Sequence, residues 1–229
     1  MADEPDLAIT FVAEEMYFWA AQQAFQQIAK LRAEVLKGGK NYPLAELLLL
    51  AKSYDLGDEV DPDVDVSNLD DTTEELHTNL DRFALAAASV DIFAVMTLEA
   101  HINAIADRQF SSATFKLFDR LSLEGKWLFF PQLIGLGEVF NTSMEPFQSF
   151  HAIIRRRNGT VHTKGDGRTV VLKHEAIADD YMASKLDFAE RALHTTCSMA
   201  SALAKAMAVE APAWTAGELP RHYVIGDAS

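Results

Sequence analysis

The chain has 229 residues, nearly half of them apolar, and a formal net charge of −14 at pH 7. That length and apolar content fit one domain of ordinary size, or one domain with an N-terminal extension, able to bury a real core. The single cysteine excludes an intramolecular disulfide framework and a cysteine-only metal site, and the acidic balance argues against nonspecific adhesion to nucleic acid.

The first residues, Met1-Ala-Asp-Glu-Pro-Asp6, are acidic and lack the basic and apolar regions of a signal peptide. The longest clean apolar run, Leu44 to Ala51, is interrupted by Glu46 and is much too short to span a bilayer. A soluble, cytoplasmic protein with no membrane contact is expected. Residues from about Asp6 to Leu36 read as a helix, with Ile9, Val12, Met16, Trp19, Ala20 and Phe25 mainly on one face and Gly38-Gly39 as the stop. A shorter helix, Pro43 to Lys52, follows, with the proline in its first turn. Tyr54 to Asp71 is an acidic segment with eight carboxylates. Asp61-Pro-Asp63-Val-Asp65 begins like a calcium loop, but Val66 stands where the turn glycine belongs and Thr72 where the bidentate glutamate belongs. A solvated loop is the better reading, and no metal or other cofactor is expected.

From Asp71-Thr-Thr-Glu74 to about Arg108 there is no Gly or Pro. The pattern predicts one long helix, apolar almost all round between Phe83 and Ile105, and hence the central helix of the core. Asp91 and Glu99 lie among its apolar residues. Two carboxylates in such surroundings need partners, whether a cation, water or a cap at a helix crossing. Ser112 to Leu121 and Leu123 to Leu133 read as two short helices, and Gly135-Leu-Gly137 breaks the pattern. Helix propensity returns near Met144-Glu-Pro146. Gly165-Asp-Gly167 is a turn signal, Thr169 to Leu172 a short strand candidate, and the last long helix runs from about Ala183 to Val209. Cys197, among Ala, Met and Leu at helical spacing, reads as a packed small hydrophobe. The tail holds Trp214, Pro220 and Tyr223 and reads either as a strap or as an unstructured end. The elements add up to an all-α bundle, divided into N-terminal helices and acidic loop over 1–71, the main helical domain over 72–209, and a tail over 210–229.

The chemistry concentrates in Phe147 to His162. Laid on a helix, Phe147, Phe150, Ile153, Ile154 and Val161 share one stripe, with Arg157 in its middle and Asn158 and His162 along its edge. Arginine is rarely buried unpaired. This end of the stripe should therefore face a cleft, a second subunit or a carboxylate, and the simplest expectation is that Asp91 or Glu99 holds Arg157. From His151 to His174 there are six basic side chains against one acid, a local charge of +5 that leaves −19 for the rest. Such an island suits a small RNA-contacting site on an acidic protein, and equally a patch that neutralises an acidic neighbour in the same fold.

Arg157-Asn158-Gly-Thr-Val-His162 reads R-N-x-x-x-H and resembles the signature of the HEPN superfamily. Upstream, Leu123-Glu124-Gly125-Lys126-Trp127, followed after Leu128 by Phe129-Phe130-Pro131, is similar to the segment that precedes this signature in many HEPN proteins. The resemblance covers roughly Thr72 to Met207. It implies an up-and-down helical bundle that dimerises, with paired motifs lining a cleft, and metal-independent endoribonucleases that act as toxins or in antiviral abortive infection, with an antitoxin or regulatory protein as a further partner. HEPN toxins silenced by nucleotidyltransferases carry a tyrosine two residues after the histidine. Lys164 stands there, so that mode of silencing is not carried over.

The residue types support the same chemistry without the family name. Histidine exchanges a proton near neutral pH, arginine stabilises a phosphate or phosphorane without changing its own charge, and asparagine can orient either. Together they suit attack of a ribose 2′-OH on its own phosphodiester. His162 is the expected acid/base, Arg157 the charge stabiliser and Asn158 an orienting group, with Arg155, Arg156 and Lys164 on the RNA backbone. Arg157 and His162 are about 140° apart on an ideal helix, so their convergence needs the reach of arginine or a loosened helix at Gly159. The competing expectation is a noncatalytic helical interaction or ligand-binding module in which the same residues form a dimer-interface network.

Overall fold

The computed structural model describes residues 12–38, 69–161 and 175–216. Among these residues the fold is all-α, with six α-helices: α1 Ala13–Lys37, α2 Leu69–Gln109, α3 Ser112–Phe118, α4 Leu123–Leu133, α5 Phe147–Val161 and α6 Glu175–Ala206. A single 3₁₀ turn, Ala213–Ala216, follows α6. The expected helix at 43–52, the acidic segment at 54–68 and the strand candidate at 169–172 lie outside the described residues.

The long uninterrupted helix expected from the lack of Gly and Pro is α2, with 41 residues. At 1.5 Å per residue it spans roughly 60 Å. By length and composition, Glu74–Gln109 could cross a membrane. So could the central helix of a soluble fold, and in α2 Leu98, Ile102 and Ala106 are fully buried against protein. The last helix starts at Glu175, earlier than the expected Ala183. Its front is useful to the fold because Asp179 meets Arg32 and Met182 is fully buried.

The described residues divide into two compact units, 12–22, 91–157 and 191–216 in the first and 23–38, 69–90, 158–161 and 175–190 in the second. The first unit holds most of the aromatic core. Ala94, Leu98, Ile102 and Ala106 recur every four residues along α2 and are all fully buried. Around them Phe110, Phe118 and Phe130 pack edge to face with ring centroids 5.4–6.0 Å apart. Trp127 packs in the same manner on Phe140 and Phe150 at 5.5 and 6.1 Å. Each such buried ring contributes about 2–3 kcal/mol by leaving water. Two serines start the short helices: Ser111 Oγ accepts from the Thr114 amide and Ser122 Oγ from the Gly125 amide, each satisfying a donor the helix start leaves open. Gly135 and Gly137 both take positive φ, 84° and 75°, and their lack of a Cβ permits the break after α4. Trp214, in the 3₁₀ turn, is buried on Phe18 with centroids 5.0 Å apart. Of the two readings of the tail, a strap describes this part.

In the second unit the core side chains are Ile28, Leu31 and Val35 of α1, Leu76, Phe83 and Val90 of α2 at a seven-residue spacing, and Met182 of α6. Arg32 Nε donates to Asp179 Oδ1 at 3.0 Å at its edge.

Candidate functional site

Helix α5 carries the motif from Arg157 as far as Val161. Its core stripe is Phe147, Phe150, Ile153 and Ile154, all buried. Val161, expected on the same stripe, is 48 % exposed, because it is the last residue of the helix and the packing runs out before it. Arg155 and Asn158 lie on the exposed face of α5, and Arg156 and Arg157 are half-buried. His162 and Lys164 lie outside the described residues.

The carboxylate expected for Arg157 holds its neighbour instead. Arg156 Nε donates to Asp91 Oδ2 at 2.9 Å and Arg156 Nη2 to Asp91 Oδ1 at 2.8 Å. This fork-to-carboxylate geometry is the strongest form of such a pair, and Asp91 is 8 % exposed, so solvent screens it little. The physical reason is reach. Adjacent helix positions differ by 100°, and a guanidinium on a three-carbon stem can swing from the flank of the stripe onto a carboxylate that the apolar pattern assigns to its centre. Arg156 thereby fastens α5 to α2.

Glu99 departs from its expected role. Its side chain is 47 % exposed, not buried, and its Oε1 is 4.0 Å from Lys126 Nζ. Lys126 is the charged residue that the pattern of apolar positions overlooks. It is 2 % exposed, and its ammonium donates to Asn103 Oδ1 and Asp119 Oδ1, each at 3.0 Å. The one signal in the sequence is a lysine directly before the apolar run Trp127 to Pro131, where a solvated cation would have to emerge from an apolar helix. Lys126 also lies over the Phe118 ring, 6.0 Å from its centroid.

Near the middle of α5, His151 Nδ1 contacts Glu124 Oε1 in the first turn of α4. A carboxylate on one ring nitrogen fixes the tautomer and leaves the other nitrogen for proton exchange. His151 is exposed, and Arg155 follows it by four residues on the same face. Within the first unit, the exposed face of α5 thus carries a carboxylate-held imidazole and a guanidinium. These groups can bind a phosphate and move a proton.

Among the described residues no group of three or more His, Cys, Asp or Glu side chains is placed to hold a metal ion. Cys197 packs against the Phe18–Ala200–Trp214 cluster, and burial pushes its thiol up to about 11. No family description, curated protein or solved structure matches this chain.

Proposed function

We propose that the protein is a HEPN-like up-and-down bundle that cleaves RNA as a metal-independent endoribonuclease, working as a homodimer in the cytoplasm, in toxin or antiviral defence. The observation that carries this reading is the disposition of α5. Arg156 is tied to Asp91, and this holds the helix while Arg155 and Asn158 stay on its exposed face. A tethered helix with a basic run at 155–157 is a platform for a phosphodiester backbone, which one-sided cationic contacts recognise.

In this mechanism His162 takes the proton of a ribose 2′-OH. The 2′-oxygen attacks the adjacent phosphorus, and the bond from phosphorus to the 5′-oxygen breaks. The leaving 5′-oxygen takes a proton, giving a 2′,3′-cyclic phosphate and a 5′-hydroxyl. Arg157 stabilises the negative charge on the phosphorane and Asn158 orients it. A second copy of the chain, related by a twofold axis, supplies the second histidine, so that base and acid are separate groups. Arg155 and Lys164 contact flanking phosphates, and Arg156 acts through the placement of α5.

The test is cleavage of a mixed RNA pool by the purified protein in excess EDTA, with His162→Ala and Arg157→Ala alongside. Cyclic phosphate ends from the wild type and none from the variants are expected. A folded, dimeric wild type that leaves the pool intact sinks the reading. The Arg156–Asp91 fork also favours a second reading, a noncatalytic interaction or ligand-binding module in which the Arg/His cluster knits a dimer interface. Under that reading Arg157→Ala shifts the protein towards monomer, measured by sedimentation, while RNA is never cut.

A further inference from the structure

Cleavage through the 2′-OH needs two proton-transfer groups, and α5 carries a histidine outside the motif that is built for such work. His151 lies in the first unit, where its Nδ1 meets Glu124 Oε1. Both residues stand on packed scaffolding. Phe150, directly before His151, and Trp127, one turn after Glu124, are fully buried, with ring centroids 6.1 Å apart. The imidazole and its carboxylate therefore sit at the rim of a tight contact between α4 and α5, the kind of support that holds a reacting group in place. Glu124 is in the first turn of α4, where the helix dipole favours a negative charge. Ser122 caps the same turn.

Stability does not account for this pair. The His151 side chain is 52 % exposed and that of Glu124 31 %, and ion pairs so open to water contribute little. The rings beneath already join α4 to α5. What the carboxylate does is orient. It takes up the Nδ1 edge of the imidazole and leaves Nε2 as the nitrogen that gives or takes a proton. Arg155, exposed one turn further along the same face, can hold a phosphate next to it.

His151 cannot serve the phosphate held by its own Arg157. Six helical residues separate the two by about 9 Å along the axis and about 120° around it. A twofold axis removes this obstacle. Two copies of α5 running antiparallel across it can set residue 151 of one beside the C-terminal half of the other.

We infer that His151 of the partner subunit, oriented by its carboxylate neighbour Glu124, is the general acid of the cleavage. The inference rests on the ribonuclease reading of α5 and identifies its second histidine. His162 takes the 2′-OH proton, the 2′-oxygen bonds to phosphorus, and the bond from phosphorus to the 5′-oxygen breaks as Nε2 of His151 gives that oxygen a proton. Exchange with water then returns both rings to their starting states. His151 is a catalytic residue and Glu124 a positioning residue.

The test uses a short RNA that the wild type cuts, made with its scissile 5′-oxygen either natural or replaced by sulfur. A thiolate leaves without a proton, so it needs no acid. His151→Ala, at an exposed position, should slow the oxygen substrate by roughly a hundredfold or more and leave the sulfur substrate near the wild-type rate. Glu124→Gln should show the same selectivity to a smaller degree. Co-expressed His151→Ala and His162→Ala chains, each inactive alone on the natural RNA, should recover roughly a quarter of wild-type activity, because half of the dimers are mixed and each mixed dimer has one intact site. Equal slowing of both substrates by His151→Ala, no slowing of either, or no recovery in the mixed dimers each overturns the inference while the ribonuclease reading stands. A folded wild type that cuts no RNA of either kind overturns both.

Discussion

Two cationic centres in the first unit use the same charge in opposite ways. Lys126, on the buried side of α4, has Asn103 and Asp119 as oxygen partners and its ammonium over the Phe118 ring. The arginine run of α5 spreads across a gradient of exposure, with Arg156 forked onto Asp91 and Arg155 in solvent. Depth sets what each cation can do. A sealed ammonium holds three chain segments at one point and has no access to a ligand. A graded run lets one guanidinium anchor the helix while its neighbour stays available. Lysine suits the first task because a compact ammonium can take several oxygens from different directions, and arginine the second because its planar fork matches one carboxylate.

The sharpest way to break this comparison is Lys126→Ala. It opens a cavity and strands the amide of Asn103, and should cost about 3 kcal/mol in denaturant unfolding. Lys126→Met refills the volume and should recover more than half of that loss. If the two variants are equally unstable, the charge matters more than the packing of its stem. Next in size is the fork. Asp91→Ala or Arg156→Ala should each cost about 2 kcal/mol, with a coupling of about 1 kcal/mol in a double-mutant cycle, and Arg156→Lys should retain less than half of the pair. Smaller again is the acid-side effect of Glu14. Its carboxyl is held below 4.5 by His101, so the stability it lends is fully present above that pH and is lost as pH falls through the lower folded value. Glu14→Gln should flatten the decline of stability in acid, followed by thermal melting between pH 5 and pH 3. Arg32→Ala, which breaks a half-exposed pair with Asp179 in the second unit, should cost about 0.5 kcal/mol, a loss that shrinks in high salt. Smallest of all is Arg155→Ala, expected to leave unfolding within about 0.5 kcal/mol of wild type while weakening RNA retention at low salt. A large stability loss there would erase the distinction between anchor and tool.

How much of this could be read from the chain depends on what periodicity measures. The absence of Gly and Pro over 74–108 with an apolar circumference gave α2 its length and central place, and Ser111 and Ser122 stand where the short helices start. Periodicity also found the buried stripe Phe147–Ile154. It ranks positions around a helix, however, and says little about side chains that cross from one position to the next. That is why it pointed to Arg157 for Asp91 when the adjacent Arg156 makes the fork. It treats lysine as polar wherever it stands, so Lys126 stayed hidden. Its partners lie 7 and 23 residues away along the sequence, a separation no local pattern encodes. Glu99 was expected inside because its neighbours are apolar, yet a helix that is apolar nearly all round still turns one edge to water. His162, on which the proposed chemistry turns, lies outside the described residues, and its role rests on the motif.

The burial of Cys197 has a practical consequence. A thiol pushed up to about 11 is ionised in only about one molecule in ten thousand at pH 7, and the thiolate is the form that reacts with alkylating agents. Cys197 packs against Trp214, which closes over Phe18 and Ala200. Cys197 is only half-buried, so alkylation at neutral pH is slowed by the scarcity of thiolate, and the chain has no second thiol to confuse the signal. Alkylation should therefore speed up steeply as the pH is raised towards about 11, a rise readable by mass spectrometry without a label, a mutation or a ligand.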